Sequence, residues 1–374
     1  MASDTLKILY DHQIFSLQKY GGISRYFAEL MVQYRFEKDI DFELACKYSD
    51  NQYLRDMVKL DFIKKSSDAN SKIRKYYNYA LNRLNSMSII SQGDYDVLHP
   101  TYYDPYFLNK LNGKPFVITV HDLTQDLFPQ YFKNPGRNTR MKRAVMEKAE
   151  KVIAISNHTK GDIINYFNVP EEKITVIYHG NSLKSIKTIS GNPGTGLSEK
   201  RYVLFVGLRG GYKNFHTFVA AISKILKEDE GLEVICVGAG PFVKEEIELL
   251  EIHGIQQRFS QVSVNDEELT ELYSNALALV FPSLYEGFGM PILEAMDCGC
   301  PAILSNTSSM PEIGGNAARY FDPEDIESIR DSIEKVIYDE ELRQKMILDG
   351  RNRADDFSWQ RTAKETAKVY RSLL

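Results

Sequence analysis

Two carboxylates separated by seven residues, Glu286 and Glu294, stand in the most informative stretch of the chain, FPSLYEGFGMPILEAMDCGCP, from Phe281 to Pro301. The apolar residues ending near Ser283 read as a strand, Glu286, Gly287 and Gly289 as a turn, and Pro291 as the first turn of a helix, where its missing N–H is tolerated. Free backbone N–H groups and the helix dipole at such a terminus suit a phosphate, and flanking carboxylates accept hydrogen bonds from sugar hydroxyls. A nucleotide sugar presents both groups. A second stretch, YVLFVGLRGGYKNF from Tyr202 to Phe215, projects Arg209 and Lys213 from a glycine-containing turn between a strand and a helix. Two cations there can neutralise a diphosphate whose charge grows as a glycosidic bond breaks. A lysine solvated at a strand end is the competing reading of Lys213.

Weaker signals lie elsewhere. KYGGISRYFAEL places Gly21 and Gly22 in a loop between the first strand and a helix, where backbone can approach a ligand closely, though the pair is too short for a dinucleotide fingerprint. VITVHDLTQ ends an apolar strand with His121 and Asp122, at the strand end where open α/β sheets bind ligands. His99, in DVLHPTYY, ends another strand, and Tyr102 and Tyr103 after it are placed either to stack on a sugar or to pack in a loop or core. Asp94-Tyr95-Asp96 matches a metal-binding Asp-x-Asp pattern but precedes a strand, which favours a turn or cap. Val237-Gly238-Ala239-Gly240-Pro241 reads as a strand exit. Cys298 and Cys300 have no second Cys or His pair nearby, so no zinc site is expected.

The Glu286 and Glu294 spacing, with the turn and helix around it, resembles the Glu-x7-Glu motif of the retaining family 4 glycosyltransferases, also called group 1. These have the GT-B architecture, an α/β fold of two Rossmann-like domains with parallel sheets facing across a cleft. The resemblance covers essentially the whole chain. It implies that Glu286 contacts the donor hexose, that Glu294 holds the ribose hydroxyls, and that the backbone of Phe288, Gly289 and Met290 lies against the sugar and diphosphate. It further implies that Arg209 and Lys213 are the cationic pair at the start of the second domain, Lys213 being the firmer assignment because the arginine's spacing varies. Gly21 and Gly22 then correspond to a glycine loop near the donor phosphates, and His121 to a histidine near the sugar. The expected activity is a retaining hexosyltransferase acting on a nucleoside diphosphate sugar, with no cofactor and no metal.

The elements that must position these residues follow from the alternation of short apolar, β-branched runs with helix-period segments, the pattern of parallel strands joined by crossover helices. Strands are expected at 7–11, 42–47, 97–99, 116–121, 152–155 and 174–178, then at 202–206, 233–237, 262–264, 278–281 and 302–304. Each half reads as a Rossmann-like sheet. The expected organisation is an acceptor-side domain over 1–180, a Ser-, Gly- and Lys-rich linker over 181–200, a nucleotide-sugar domain over 201–355, and a last helix over 356–374 packing on the N-terminal domain.

At 374 residues the chain has room for two domains, and its hydrophobic and charged fractions of 43% and 26% exclude disorder and a coiled coil. No apolar run approaches the roughly 20 residues of a spanning helix. The first residues show no secretory pattern, and four cysteines are too few for a disulfide framework, so a cytoplasmic location is expected. The net charge of -5 divides unevenly, about +6 over residues 1–190 and about -11 over 191–374. Eight of the basic residues lie between Asn51 and Ile90 beside three acidic ones. That region is either a solvated helical face or a surface attracted to anionic lipid at the inner face of the plasma membrane. The expected partners are a nucleotide-sugar donor and a carbohydrate or lipid-linked acceptor, in surface polysaccharide synthesis, without nucleic acid. Two other classes stand against this reading. A Rossmann oxidoreductase would need a Gly-x-Gly-x-x-Gly after the first strand, which is missing. A non-catalytic sugar-nucleotide-binding scaffold would have no need of Lys213, Glu286 and Glu294 together.

Overall fold

The computed structural model describes residues 5–65, 72–181, 183 and 200–374, so nearly all of the expected linker at 181–200 lies outside the described residues. The chain divides into two compact units, one formed by Met1–Gly180 with Trp359–Leu374 and the other by Asn181–Ser358.

In the first unit, β1 (Leu6–Tyr10), β2 (Ile40–Leu44) and β3 (Val97–His99) form a parallel sheet in the order β2-β1-β3. A second parallel trio, β4 (Val117–Val120), β5 (Lys151–Ala154) and β6 (Ile174–Val176), has the order β4-β5-β6. A single parallel bridge between Leu98 and Phe116 joins the two. The central strands are apolar on both faces because helices cover both sides of a parallel sheet. The helix Gly22–Tyr34 buries Tyr26, Phe27, Leu30, Met31 and Tyr34 against this sheet. The helix Trp359–Arg371 enters the same core through Ala363, Ala367 and Tyr370. Its small residues four apart let the Tyr34 hydroxyl reach the carbonyl of Ala363 at 2.9 Å, and Thr362 Oγ1 donates to Tyr178 O at 2.7 Å.

The second unit is one six-stranded parallel sheet. Its strands are β7 (Arg201–Val206), β8 (Leu232–Val237), β9 (Phe259–Val262), β10 (Ala278–Phe281), β11 (Ala302–Ser305) and β12 (Arg319–Phe321), in the order β12-β11-β10-β7-β8-β9. Strand order reverses between β7 and β10, which pair directly at Val203 with Ala278 and Leu204 with Leu279. Loops leaving the carboxyl ends of these two strands flank the crevice where doubly wound sheets bind ligands. The fold is therefore α/β with two Rossmann-like units, as the alternation of elements implied. Three details differ. Strand β9 lies three residues earlier than expected: Phe259 already pairs with Val234 of β8, and the strand ends at Val262 because Ser263–Asn265 lead into a capping box, with Asn265 and Glu268 exchanging bonds at the next helix. Strand β2 ends at Leu44, where Cys46 N turns back to Leu44 O at 2.8 Å. Strand β12 was not expected, being three residues paired on one side to β11.

Candidate functional site

Lys213 and Glu286 meet at the switch point of the second sheet. Lys213 closes a short 3-10 turn after β7, ahead of Asn214, which takes a left-handed φ of 58° and begins the helix Phe215–Glu228. Lys213 Nζ lies 2.6 Å from Glu286 Oε1, with side chains 14% and 13% exposed, so the pair is largely withdrawn from water. The aromatic ring of Phe281 lies 5.4 Å from the ammonium. The two turns are joined by backbone, since Leu284 N donates to Tyr212 O at 2.7 Å.

The Glu286 turn is held by a polar loop that follows β11. Glu286 N donates to Ser308 Oγ at 2.9 Å, Ser309 Oγ donates to the carbonyls of Glu286 at 2.9 Å and Phe288 at 3.2 Å, and Thr307 Oγ1 donates to Leu284 O at 3.1 Å. Gly289 follows with φ 92°, and a Cβ there would stand 2.8 Å from Ile292 Cδ1, so both backbone conformation and space require glycine. Met290 is the first residue of the helix Met290–Asp297, Phe288 packs edge-on against Phe357 at 5.9 Å, and Glu294 lies buried one turn along. Tyr273 OH donates to Glu294 Oε2 at 3.4 Å. Burial, with the Glu294 carboxylate beside it, holds the Tyr273 phenol well above its ordinary range, so it stays a donor. Lys213, Glu286, Phe288, Gly289, Met290 and Glu294 thus belong to two adjoining turns and the helix that follows one of them.

Arg209 is a correction. It was expected to face a diphosphate beside Lys213, but its side chain is 1% exposed. Its guanidinium donates to the carbonyls of Gly238 at 3.1 Å, Gly240 at 2.8 Å and Pro241 at 3.1 Å, pairs with Glu246, and lies 4.6 Å over the ring of Phe242. Those bonds fasten the loop after β8, in which Gly238, Ala239 and Gly240 take φ of 93°, 57° and 71°. Three successive left-handed residues leave their carbonyls unpaired by sheet or helix, and a planar five-donor group is suited to collect them.

In the first unit, His121 immediately follows β4. Tyr26, on the helix that begins at Gly22, packs edge-on against it at 5.1 Å, which brings His121 and the Gly21-Gly22 turn to one end of the sheet. Gly21 caps that helix, and a Cβ on it would stand 2.6 Å from Gln18 Oε1. His121 N donates to Tyr103 OH at 3.2 Å, while both ring nitrogens are buried with no hydrogen-bond partner among the described residues. Burial, then His99 and Lys142, push its pKa down to about 3, so the ring is neutral near pH 7 and has one donor and one acceptor to offer a ligand. His99, which ends β3, is a core residue. It is fully buried, with Nδ1 2.6 Å from Tyr370 OH and Nε2 2.9 Å from Thr119 Oγ1. Asp94 and Asp96 clamp Lys7, through its ammonium at 2.7 Å and its backbone N–H at 2.8 Å. Sequence reasoning missed Lys142, which is 1% exposed and bonds Asp126 Oδ2 at 2.6 Å and Asp122 O at 2.7 Å, fixing the turn after His121. Among the described residues no group of three or more His, Cys, Asp or Glu is arranged to hold a metal ion, and no helix is long and apolar enough to cross a membrane.

Comparison with known proteins gives two family matches, "Glycosyltransferase Family 4" over residues 20–184 and "Glycosyl transferases group 1" over residues 193–353. O-antigen chain mannosyltransferase B of Escherichia coli is 28% identical over 292 residues, 75% of either chain. The O-antigen chain mannosyltransferase RfbU of Salmonella typhimurium is 31% identical over 221 residues, 59% of this chain and 60% of its own. Among solved structures, Anabaena HepE in complex with UDP and glucose superposes with a TM-score of 0.77 at 18% identity, covering 98% of this chain and 100% of that one. At that identity the likeness concerns the fold alone, which is GT-B.

Proposed function

The chain belongs to the group 1 glycosyl transferases of family 4, and from that premise we propose that it moves a hexose from a nucleoside diphosphate sugar to a glycan or lipid-linked acceptor, with retention of configuration, in surface polysaccharide synthesis. The observation that carries this is the Lys213 and Glu286 pair at the β7/β10 switch point, beside a glycine-capped helix bearing Glu294. In this reading Lys213 and the Met290 helix terminus meet the diphosphate, Glu286 orients the hexose, and Glu294 accepts from the ribose hydroxyls. The backbone of Phe288, Gly289 and Met290 lies along the donor, and in the first unit the Gly21-Gly22 turn and the neutral imidazole of His121 are available to bind substrate.

The anomeric C–O bond to the diphosphate breaks and a bond to the acceptor oxygen forms on the same face of the sugar. The acceptor's proton passes to the departing phosphate oxygen, which gives the leaving group the role of base and leaves Glu286 to position the sugar. A lysine ammonium and a helix terminus supply the positive potential, so activity is expected without a divalent cation. The similarity to O-antigen chain mannosyltransferases supports a polysaccharide acceptor and a mannose donor.

Association with the inner face of the membrane is part of this proposal. The helix Lys72–Gln92 exposes Ile73, Tyr76 and Tyr77 beside Arg74 and Lys75, an apolar and cationic combination that suits an anionic bilayer interface. Flotation should increase with anionic lipid and decrease with salt. Recovery independent of lipid charge would remove that part alone. The test of the reaction is incubation with UDP-, GDP- and ADP-hexoses and an oligosaccharide or lipid-linked acceptor, with NMR of the product. Transfer with the anomeric configuration of the donor is expected, and an inverted centre would overturn retention.

A further inference from the structure

A cavity of about 530 Å³ opens on the first unit beside the loop that follows β1. Lys19, Arg55, Lys59, Lys65 and Lys75 line it against two carboxylates, Asp50 and Asp61. Arg55 pairs with Asp56 at 2.9 Å, outside that lining, and among the described residues no carboxylate bonds Lys59, Lys65 or Lys75. Five cations against two carboxylates leave the lining net positive, an arrangement that attracts an anionic ligand.

The wall is a built one. Buried Asn51 donates through Nδ2 to Gln18 O at 2.9 Å and accepts from Leu54 N at 3.2 Å, while Gln52 N donates to Lys19 O at 3.0 Å. Ser49 N donates to Lys64 O at 3.0 Å, and Ser49 Oγ donates to Phe15 O at 2.6 Å. Lys59 is held at φ 49°, a left-handed conformation uncommon for a residue with a side chain. The wall continues into the glycine turn, because Gln18 Oε1 accepts from Ser24 N at 3.2 Å in the first turn of the helix capped by Gly21.

We propose that this cavity is an anion site that holds a phosphate or diphosphate group carried by the acceptor, anchoring it beside the Gly21-Gly22 turn. The proposal rests on the transferase reading, since it assigns the chemistry of the second substrate. The volume accommodates a diphosphate with the groups attached to it.

The test is calorimetric titration of inorganic pyrophosphate into the whole chain carrying Lys213→Ala, which removes the other candidate phosphate contact. The same titration is repeated after adding Lys19→Glu and Lys75→Glu, both at exposed positions. The expected result is at least about tenfold weaker binding, reproduced in direction by the milder Lys19→Gln and Lys75→Gln pair, whereas Lys224→Glu in the second unit leaves affinity unchanged. Equal affinity with and without the reversals overturns the proposal. Flotation with phosphatidylcholine vesicles, with and without phosphatidylglycerol, separates the sources. Loss of vesicle binding in the reversed variant with pyrophosphate affinity intact would assign these cations to a lipid surface and overturn the cavity. Failure of the transferase reading registers separately, as no turnover of any nucleotide sugar by the unmodified protein.

Discussion

Lys213 and Glu286 each compensate a charge that is largely out of water, so removing one leaves the other uncompensated. Lys213→Ala should lower the transfer rate by about 100-fold or more through lost stabilisation of the departing diphosphate, measured by nucleotide release. It should also lower the melting temperature, and Glu286→Gln added to it should recover stability without recovering rate, which separates the structural contribution of the pair from the chemical one. Glu286→Gln alone should keep donor binding and lose rate, whereas Glu294→Gln should mainly raise the donor KM. Unchanged KM in Glu294→Gln would remove the ribose assignment. The placement of Lys213 and Glu286 on adjoining turns, with Glu294 on the helix that follows, was legible because carboxylate spacing, a glycine turn and a strand-end cation are local patterns. Arg209 was misread because spacing along the chain does not say where a long side chain turns, and its partners at Gly238, Gly240 and Pro241 are some thirty residues away. Ser308 and Ser309 gave no signal for the same reason: their bonds reach back more than twenty residues to a turn that the local pattern treats as self-contained.

The loops are what turn these residues into a site. Arg209→Ala should release the loop after β8 and lower the melting temperature, and its effect on rate should be smaller than that of Lys213→Ala because no bond to the reacting phosphate is lost. Equal losses of rate would return Arg209 to the diphosphate. Gly289→Ala combines a left-handed φ with a clash against Ile292 and should cost on the order of 1–3 kcal/mol, read in denaturant melts. In the first unit, His99 and His121 are held near pKa 3 by burial, and His12 and His179 shift the same way. Such groups stay neutral when folded and bind protons when unfolded, so their contribution is fully present above the unfolded value of roughly 6.5 and is lost as pH falls towards 3. Melting temperature should therefore hold nearly level from pH 7.5 to about 6.5 and decline from there to pH 5, and a flat profile over the lower range would contradict the burial of these rings. Strand positions were legible to within a few residues where apolar runs were continuous. Strand β12 was hidden because a three-residue edge strand carries too little pattern to separate it from a loop.

Over the whole molecule, alternation of strands and helices was enough to read two Rossmann-like units, because parallel sheets demand crossovers that leave a regular imprint. The place of Trp359 in the first unit's core depends on contacts with residues about half the chain away or more. It lies 5.6 Å from His179 and 6.1 Å from Tyr26, ring to ring, and Trp359→Ala should cost about 3 kcal/mol or more. By sequence the first unit, 1–180 with 359–374, carries about +7 against about -12 over 181–358, which gives it an electrostatic preference for anionic partners.

The most direct measurement is nucleoside diphosphate release from UDP-, GDP- and ADP-hexoses by the unmodified protein and by Lys213→Ala, in EDTA. At least one donor should release nucleotide, with the rate reduced about 100-fold or more by the substitution. Release from none of them, or equal release by both proteins, would contradict the assignment of the β7/β10 turns as the site of hexose transfer.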